Sequence, residues 1–489
     1  MKKIIALLLI FTYILISAAI PASASSQIRI GLLWGADAKN AEVGSKSGVN
    51  ITLGNSWIAC LPYSSVTVSS YASYYTVIEK SGFGSIEECQ TYVKNVSTDC
   101  VPFYHAGSFH AAKAWYTDYE SAEAKLSEVH ELLNPEAYIL SPTYNSLCIC
   151  VNDNPVLITS SGTMKIEAKD STLTLNGSGH RGILEFSGNS GYVSVISILS
   201  MEEYLYGVVS CEIGSGAPLE AKKAQAVCAR TYAMANMGKH SPEGFDLCAT
   251  QDCQVYGGMA TENATTIQAV NETAHQLLRH NGQLVNAYYS ASCGGKTADA
   301  ISVWKIDRNY LKSATDDGCE SYTWEENLDY NKLSHSLAKI GKGVGKLKDI
   351  NIAERSSDGS VTKLEFIGEY GTSVIEKEAV RTFLGVKSQY FDFTDEEHEI
   401  VIPVNSNEEE KKYPYISHKY SVEEMIINGL LMNCTELVLK ETVPSKTKIK
   451  GYGYGHRVGM CQLGAINHAK NGWDYHKILA HYYNGSKVS

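Results

Sequence analysis

Residues Glu202–His240 read EEYLYGVVSCEIGSGAPLEAKKAQAVCARTYAMANMGKH. An aromatic and β-branched segment leads to a carboxylate at Glu212, and a glycine-rich turn and an alanine-rich segment follow it. Val and Tyr favour strands, whereas Ala, Leu, Lys and Gln favour helices. The order therefore predicts a carboxylate held at the point where a strand passes into a helix.

The alanine-rich segment has the pattern of a buried helix. Pro218 suits its first turn, where the missing N–H costs nothing, and Gly238 can end it. A stripe of small or apolar residues recurs at helical spacing: Ala224, Val227, Cys228, Thr231 and Ala235. Lys223 and Arg230 lie about two turns apart on one face. We expect these two cations to bind a ligand or orient Glu212, or else to form a solvated face.

Composition and charge limit the location and the partners of the protein. Lys2 and Lys3 precede an apolar run that ends near Ala22-Ser23-Ala24, which has the small residues of a cleavage site. We predict a signal peptide over residues 1–24 and a secreted, extracytoplasmic protein. The alternative is an uncleaved anchor, because the apolar run approaches the length of a membrane span. A net charge of −11 argues against nucleic acid as a partner.

The pattern of elements predicts an α+β fold with two domains. Residues 26–137 follow a βαββα order, and residues 138–200 form a β-meander of short segments with a hairpin before Glu202. Asn281-Gly282 predicts a two-residue hairpin turn. Residues 394–415 predict an exposed acidic insertion.

Further motifs lie in a fixed order along the chain. They are EAKKAQA (Glu220–Ala226), ARTY (Ala229–Tyr232), CQVYGG (Cys253–Gly258), SCGGKT (Ser292–Thr297), Tyr310-Leu311 and GYGYGHRVGMCQLGA (Gly451–Ala465). Together with Glu203–Val209 and Glu212, they resemble the signature of the stage II sporulation protein D family (SpoIID/LytB). The resemblance runs from about Ser141 to Ser489, and we assign residues 138–489 to a SpoIID/LytB domain.

The resemblance implies a peptidoglycan protein with a SpoIID-type domain. Sporulation members of the family are lytic transglycosylases that cut glycan strands stripped of their stem peptides. LytB-type members instead enhance a cell-wall N-acetylmuramoyl-L-alanine amidase. The βαββα order of residues 26–137 resembles the SPOR domain, which binds such denuded strands. A structural domain with ferredoxin-like packing has a similar order and is the alternative.

The resemblance also implies roles for individual residues. The family's catalytic glutamate corresponds to Glu212, which would act alone, because the C6 hydroxyl of the substrate supplies the nucleophile. The alternatives are a carboxylate that caps the following helix or pairs with Arg230, or ordinary hydrolysis with Asp246 as a second carboxylate. The residues that we expect to bind the glycan, unless they are structural, are Lys223, Arg230, Gln254, Tyr256 and His456.

The chain departs from the family pattern around two of these residues. Cys211 precedes Glu212, and Gly214-Ser215-Gly216 replaces the Met-Pro that commonly follows. Arg457 follows His456, where a glycine is commoner. We expect the turn geometry to differ at these positions.

Thirteen cysteines is a high number for a secreted chain, and an odd number cannot pair completely. Cys248 and Cys253 flank four residues, a spacing that suits half of a zinc site or a disulfide. Some family members bind zinc near this position. His240 is then a candidate third ligand, completed by Cys293 or Cys319. The proposed mechanism requires no cofactor, so any zinc here would be structural.

Overall fold

The computed structural model describes residues 27–395 and 446–489, apart from positions 37, 55, 161, 170, 171, 190, 317 and 320. The predicted signal peptide and residues 396–415 of the predicted insertion lie outside the described residues. The chain divides into two compact units. The first extends to Gly216 and includes Tyr232–His275, and the second comprises Ala217–Thr231 and Gln276–Ser489. No helix in the described ranges is long and apolar enough to cross a membrane.

The strands of the first unit are, in chain order, β1 (Gln27–Leu33), β2 (Asn40–Gly44), β3 (Val49–Leu53), β4 (Ser56–Leu61), β5 (Ser65–Ser70), β6 (Tyr75–Phe83), β7 (Val101–His105), β8 (Ser108–Tyr116), β9 (Tyr138–Leu140), β10 (Leu147–Val151), β11 (Asn154–Thr159), β12 (Met164–Ala168), β13 (Leu173–Leu175), β14 (Ser178–His180), β15 (Ile183–Asn189), β16 (Tyr192–Ser200) and β17 (Leu247–Cys248). Within the described residues of both units, the α-helices are α1 (Ile86–Asn95), α2 (Tyr119–Leu132), α3 (Met201–Ile213), α4 (Leu219–Ala235), α5 (Ala264–Glu272), α6 (Ala300–Trp304), α7 (Tyr330–Lys339), α8 (Glu378–Leu384), α9 (Gln462–Lys470) and α10 (Tyr475–Tyr482). Short 3₁₀ helices span Ser241–Glu243 and Gly258–Thr261.

Two sheets form the framework of the first unit. One has the order β17-β1-β16-β15-β12-β3-β4, and the other has the order β14-β13-β2-β5-β10-β11-β7-β8-β6-β9. Residues of both sheets, such as Ile51, Val68 and Leu157, are fully buried in one apolar cluster, as in sheets packed face to face. Strands and helices are mixed in both units, which confirms the predicted α+β class.

The predicted βαββα order is present as β6, α1, β7, β8 and α2. The three strands of this order belong to the larger sheet, which also contains strands from beyond the predicted boundary at residue 137. Two pairings cross that boundary: β5 pairs with β10, and β7 pairs with β11. A separate domain over residues 26–137 is therefore not visible in the sheet topology. Local sequence patterns do not predict pairing between strands that lie so far apart in the chain. The likeness of this segment to a SPOR domain stays a prediction.

The strands of the second unit are β18 (Leu278–His280), β19 (Gln283–Leu284), β20 (Tyr289–Ser290), β21 (Thr323–Asn327), β22 (Leu347–Arg355), β23 (Val361–Gly368), β24 (Gly371–Glu376), β25 (Phe391–Asp395), β26 (Lys446–Tyr452), β27 (Met460–Cys461) and β28 (Lys487–Val488). They form small sheets, among them β22-β23-β24 and β21-β26-β25. The turn at Asn281-Gly282 has φ values of 50° and 78°. Positive φ at both central residues is what a type I′ hairpin requires, so this predicted turn is present.

Helix α4 is buried on nearly every face. Four residues of the predicted stripe, Ala224, Val227, Cys228 and Thr231, are fully buried. The fifth, Ala235, is exposed at the end of the helix. Small side chains allow this close packing, because they leave room for neighbouring backbone.

Candidate active site

The segment that leads to Glu212 is a helix, α3, which corrects the predicted strand. Its first turn is fixed by a capping box: Glu203 N–H donates to Ser200 Oγ at 3.3 Å, and Ser200 N–H donates to Glu203 Oε2 at 3.0 Å. The β-forming residues lie at helical spacing in the buried face, which comprises Met201, Tyr204, Leu205, Val208 and Val209. Capping and burial therefore outweigh the strand propensity of these side chains.

Glu212 lies in the last turn of α3, at a helix-to-helix junction and not at a strand-to-helix junction. Gly214 ends the helix with a φ of 85°, and its N–H donates to Ser210 O at 3.1 Å. Glycine adopts positive φ without steric cost. The Gly214-Ser215-Gly216 departure from the family pattern is thus the stop signal of the helix that carries the glutamate.

The loop after β17 positions the Glu212 side chain. Val255 N–H donates to Glu212 Oε1 at 2.8 Å. Helix and loop approach closely at two glycines: a Cβ on Gly207 would lie 2.6 Å from the Tyr256 ring, and Gly257 N–H donates to Gly207 O at 3.2 Å. The CQVYGG motif therefore packs directly on the helix of the first motif, and the Tyr256 ring occupies the space that a side chain at Gly207 would need. This close approach brings Val255 within hydrogen-bond distance of Glu212.

Two predicted glycan-binding residues of this loop are buried. Gln254 is 1% exposed, and its Nε2 donates to Tyr204 Oη at 3.3 Å. Tyr256 is 7% exposed, with its ring centroid 5.5 Å from that of Tyr204. In this conformation neither side chain has much surface for a glycan. Their contacts support the loop that holds Glu212, and direct glycan contact by either residue stays a prediction.

The two predicted cations of α4 differ in exposure. Arg230 is 2% exposed, and its Nη1 donates to Gln276 O at 3.2 Å. Lys223 keeps 14% of its side chain exposed, pairs with Glu220 at 2.8 Å and lies 5.8 Å from the Tyr475 ring centroid. Burial therefore favours a structural role for Arg230. Ligand binding by Lys223 stays a prediction.

His456 is partly buried in an aromatic setting. Val458 N–H donates to His456 Nδ1 at 3.0 Å, and the Trp304 ring centroid lies 4.9 Å from that of His456. Burial, reinforced by the charge of Arg381, lowers the pKa of His456 to about 3. The imidazole is neutral at neutral pH, so it is suited to hydrogen bonding and not to proton donation. Trp304 and Tyr288, whose ring centroids lie 4.7 Å apart, form an aromatic cluster with His456, and the sequence motifs did not indicate Trp304.

Arg457 is a fully buried side chain at a position with a φ of 66°. Its Nε donates to Cys293 O at 2.8 Å, and its Nη2 donates to Lys296 O at 2.6 Å and to Asp358 O at 3.1 Å. Nη1 donates to Ser360 Oγ at 3.0 Å. A positive φ favours glycine, which explains why a glycine suits this position elsewhere in the family. In this chain the guanidinium instead connects the SCGGKT loop to the β22–β23 hairpin.

The predicted metal ligands Cys248, Cys253 and His240 lie together. With Asp252 they form a group whose ligand atoms are all within 4.8 Å of one another. His240 Nε2 lies 3.1 Å from Asp252 Oδ2, and Lys239 Nζ lies 2.9 Å from the same oxygen. Two sulfurs, an imidazole and a carboxylate fit the donor set of zinc. Asp252 completes the group in place of the cysteines that we expected.

Cys293 and Cys319 belong to a different group, which corrects their predicted place. Their ligand atoms lie with those of Cys461 and Asp316. All four residues belong to the second unit. The spacing of cysteines along the chain did not reveal this grouping, because Cys293 and Cys461 are 168 positions apart.

These features define an α+β protein in which glycine-rich motifs position a glutamate at the end of a buried helix. A family model described as stage II sporulation protein (SpoIID) matches residues 189–280, which include Glu212 and the CQVYGG loop. A second model, described as a domain of unknown function (DUF8618), matches residues 298–407.

Curated proteins with similar sequences agree with this match. An uncharacterised protein of Brachyspira hyodysenteriae is 30% identical over 318 residues, which is 64% of this chain and 73% of that protein. The stage II sporulation protein D of Bacillus subtilis is 25% identical over 313 residues, covering 60% and 75%. The amidase enhancer of Bacillus subtilis is 28% identical over 299 residues, covering 58% and 40%. The chain belongs to the SpoIID family.

Proposed function

We propose that this protein remodels the cell wall as a lytic transglycosylase that cleaves denuded glycan strands outside the cytoplasmic membrane. Glu212 donates its proton to the oxygen of the leaving N-acetylglucosamine as the bond from that oxygen to C1 of N-acetylmuramic acid breaks. The C6 hydroxyl of the same muramic acid then attacks C1, and the Glu212 carboxylate takes the hydroxyl proton. The product carries a 1,6-anhydro ring, and no water is consumed.

The hydrogen bond from Val255 N–H to Glu212 Oε1, 2.8 Å long, is the observation that carries this proposal. It joins two motifs of the family at one carboxyl group and fixes the direction of that group. Val208 and Val209, one turn earlier on α3, are fully buried. The proposed role requires a carboxyl that holds a proton near neutral pH, which is the state that burial favours. Ordinary hydrolysis would need Asp246 as a second carboxylate. Its Oδ2 instead accepts a hydrogen bond from the backbone N–H of Arg29 at 3.0 Å.

Product analysis tests the proposed reaction. The purified protein is incubated with glycan strands from which the stem peptides have been removed, and the products are examined by mass spectrometry. We expect anhydromuramic ends, each lighter by one water molecule than a reducing end. Reducing muramic ends would show hydrolysis and would contradict the proposal. Peptidoglycan that retains its stem peptides serves as the control substrate and should be cut more slowly.

A second candidate function is the stimulation of a cell-wall amidase. One reason is the Bacillus subtilis relative that is named an amidase enhancer. The other is the burial of Gln254 and Tyr256, which leaves little surface for a ligand on the loop beside Glu212. This function predicts glycan binding and a faster amidase reaction with no new saccharide ends. The βαββα segment, if SPOR-like, would supply glycan binding under either function.

We also propose a structural zinc ion at His240, Cys248, Asp252 and Cys253. The residues would hold the ion without taking part in glycan cleavage. Metal analysis of the double variant Cys248→Ser/Cys253→Ser tests this site, and we expect the variant to contain about one zinc equivalent less than the wild-type protein. An unchanged zinc content would exclude the site.

A further inference from the structure

The second unit contains a compact group of buried ligand side chains. The Sγ atoms of Cys293, Cys319 and Cys461 and a carboxylate oxygen of Asp316 all lie within 4.8 Å of one another. Each of the four residues is 0% exposed. We propose that these residues bind a second zinc ion, separate from the group around Cys248, and that this ion stabilises the fold of the second unit.

The distances within the group match tetrahedral coordination. Cys319 Sγ lies 3.8 Å from Cys461 Sγ, and Cys293 Sγ lies 3.3 Å from Asp316 Oδ2. Zinc bonds of about 2.3 Å to sulfur and about 2.0 Å to oxygen place tetrahedral ligand atoms roughly 3.5–3.8 Å apart. The sulfur–sulfur distance falls in this range, and the sulfur–oxygen distance would reach it if the carboxylate oxygen moved about 0.2 Å away from Cys293 Sγ.

Backbone donors surround the sulfur of Cys461. The N–H groups of Cys293 and Gly464 both donate to Cys461 Sγ at 3.2 Å. Such donors stabilise a thiolate and are a typical outer layer of metal–thiolate sites. Cys461 is also the N-cap of α9, where the helix dipole favours negative charge. The position is therefore suited to an ionised sulfur.

Asp316 is held from its outer side. His468 Nε2 lies 2.8 Å from Asp316 Oδ1, and Tyr482 Oη donates to Oδ2 at 2.7 Å. A Cβ on Gly464 would lie 2.2 Å from Asp316 Oδ2, so the glycine is required for the carboxylate to reach the sulfurs. Hydrogen-bonded carboxylates of this kind are oriented as ligands are in zinc sites.

Other states of the cysteines explain this arrangement less well. A disulfide between Cys319 and Cys461 would leave Cys293 unpaired, with the buried Asp316 carboxylate beside its sulfur. Three neutral thiols would offer only weak S–H donors to the sulfur-facing side of that same carboxylate, whose other partners are His468, His481 and Tyr482. A divalent cation between the three sulfurs and the carboxylate would supply a positive charge on that side.

The site would connect three separate segments of the second unit. Cys293 lies in the SCGGKT loop after β20, Asp316 and Cys319 lie in the segment before β21, and Cys461 ends β27. β20 and β27 pair in parallel through Tyr289 and Met460. The ion would therefore secure β27, the strand that directly follows the loop carrying His456.

Cobalt binding tests the proposal. The Cys248→Ser/Cys253→Ser variant of the full chain is loaded with Co²⁺, so that the group around Cys248 does not contribute. We expect about one bound equivalent with the absorption of a tetrahedral cobalt–thiolate site. Adding Cys293→Ser should lower the thiolate-to-cobalt absorption by about one third, since one of three thiolates is lost. Cys228→Ser, at another buried cysteine of the same unit, is the matched control and should leave the spectrum unchanged.

A milder variant keeps the test valid if the cysteine variant fails to fold. His468→Gln leaves all four ligands in place, and we expect it to weaken Co²⁺ affinity about 10- to 100-fold. The proposal is overturned if the Cys248→Ser/Cys253→Ser protein binds no Co²⁺. It is equally overturned if mass spectrometry of protein purified without reductant finds a Cys319–Cys461 disulfide.

Discussion

Replacing Glu212 by Gln is expected to slow glycan cleavage by about 10²- to 10⁴-fold, the usual contribution of a general acid and base. The amide retains a carbonyl oxygen that can accept the bond from Val255 N–H, 2.8 Å long in the wild-type protein. It cannot donate a proton to the leaving oxygen or take one from the C6 hydroxyl. The fold and the affinity for glycan should therefore persist while the rate falls. The measurement is the formation of anhydromuramic ends over time.

Glu202→Gln is the matched control, because it makes the same chemical change on the same helix. Glu202 Oε1 accepts from His275 N at 3.2 Å, a contact at the far end of α3 from Glu212. We expect this variant to cleave at a rate within about twofold of the wild-type protein. Undiminished anhydromuramic products from Glu212→Gln would refute the catalytic assignment. Amidase enhancement that survives in Glu212→Gln, without cleavage by either protein, would favour the second function.

Local signals predicted the elements that local interactions determine. The Asn281-Gly282 turn formed as expected because its geometry depends on residues adjacent in sequence. Helix α10 begins after Asp474, whose side chain accepts from Lys477 N–H at 2.8 Å, as an aspartate at an N-cap commonly does. The strand predicted before Glu212 was wrong because tertiary burial decided between two structures that Tyr and Val both allow.

The remaining features depend on contacts between distant residues. The pairing of β5 with β10 joins segments that the sequence patterns placed in different domains. The motifs singled out Cys253–Gly258, but only the complete fold shows that the side chains of Gln254 and Tyr256 are buried. No local pattern reveals that Cys293 and Cys461 lie together, since their grouping requires the complete fold.

Replacing Arg457 by Met is expected to lower the free energy of unfolding by about 4 kcal/mol. The change removes hydrogen bonds to the backbone oxygens of Cys293, Lys296 and Asp358. Each buried acceptor left without a donor costs about 1–3 kcal/mol. The guanidinium also lies 4.4 Å from the Tyr390 ring centroid, a cation–π contact that Met does not reproduce. Chemical unfolding followed by intrinsic fluorescence measures the loss.

Arg457→Gly separates the hydrogen bonds from the backbone conformation. Glycine relieves the strain of a φ of 66°, which is about 1 kcal/mol for a residue with a side chain. We therefore expect the Gly variant to be about 1 kcal/mol more stable than the Met variant, yet well below the wild-type protein in stability.

Arg381→Met is the matched control for the buried hydrogen bonds. Arg381 pairs with Glu378 and keeps 28% of its side chain exposed, so its replacement should lower the free energy of unfolding by less than about 1 kcal/mol. Equal effects of Arg457→Met and Arg381→Met would show that the buried hydrogen bonds contribute little. A Gly variant as stable as the wild-type protein would show that the chain tolerates the family's commoner residue without loss.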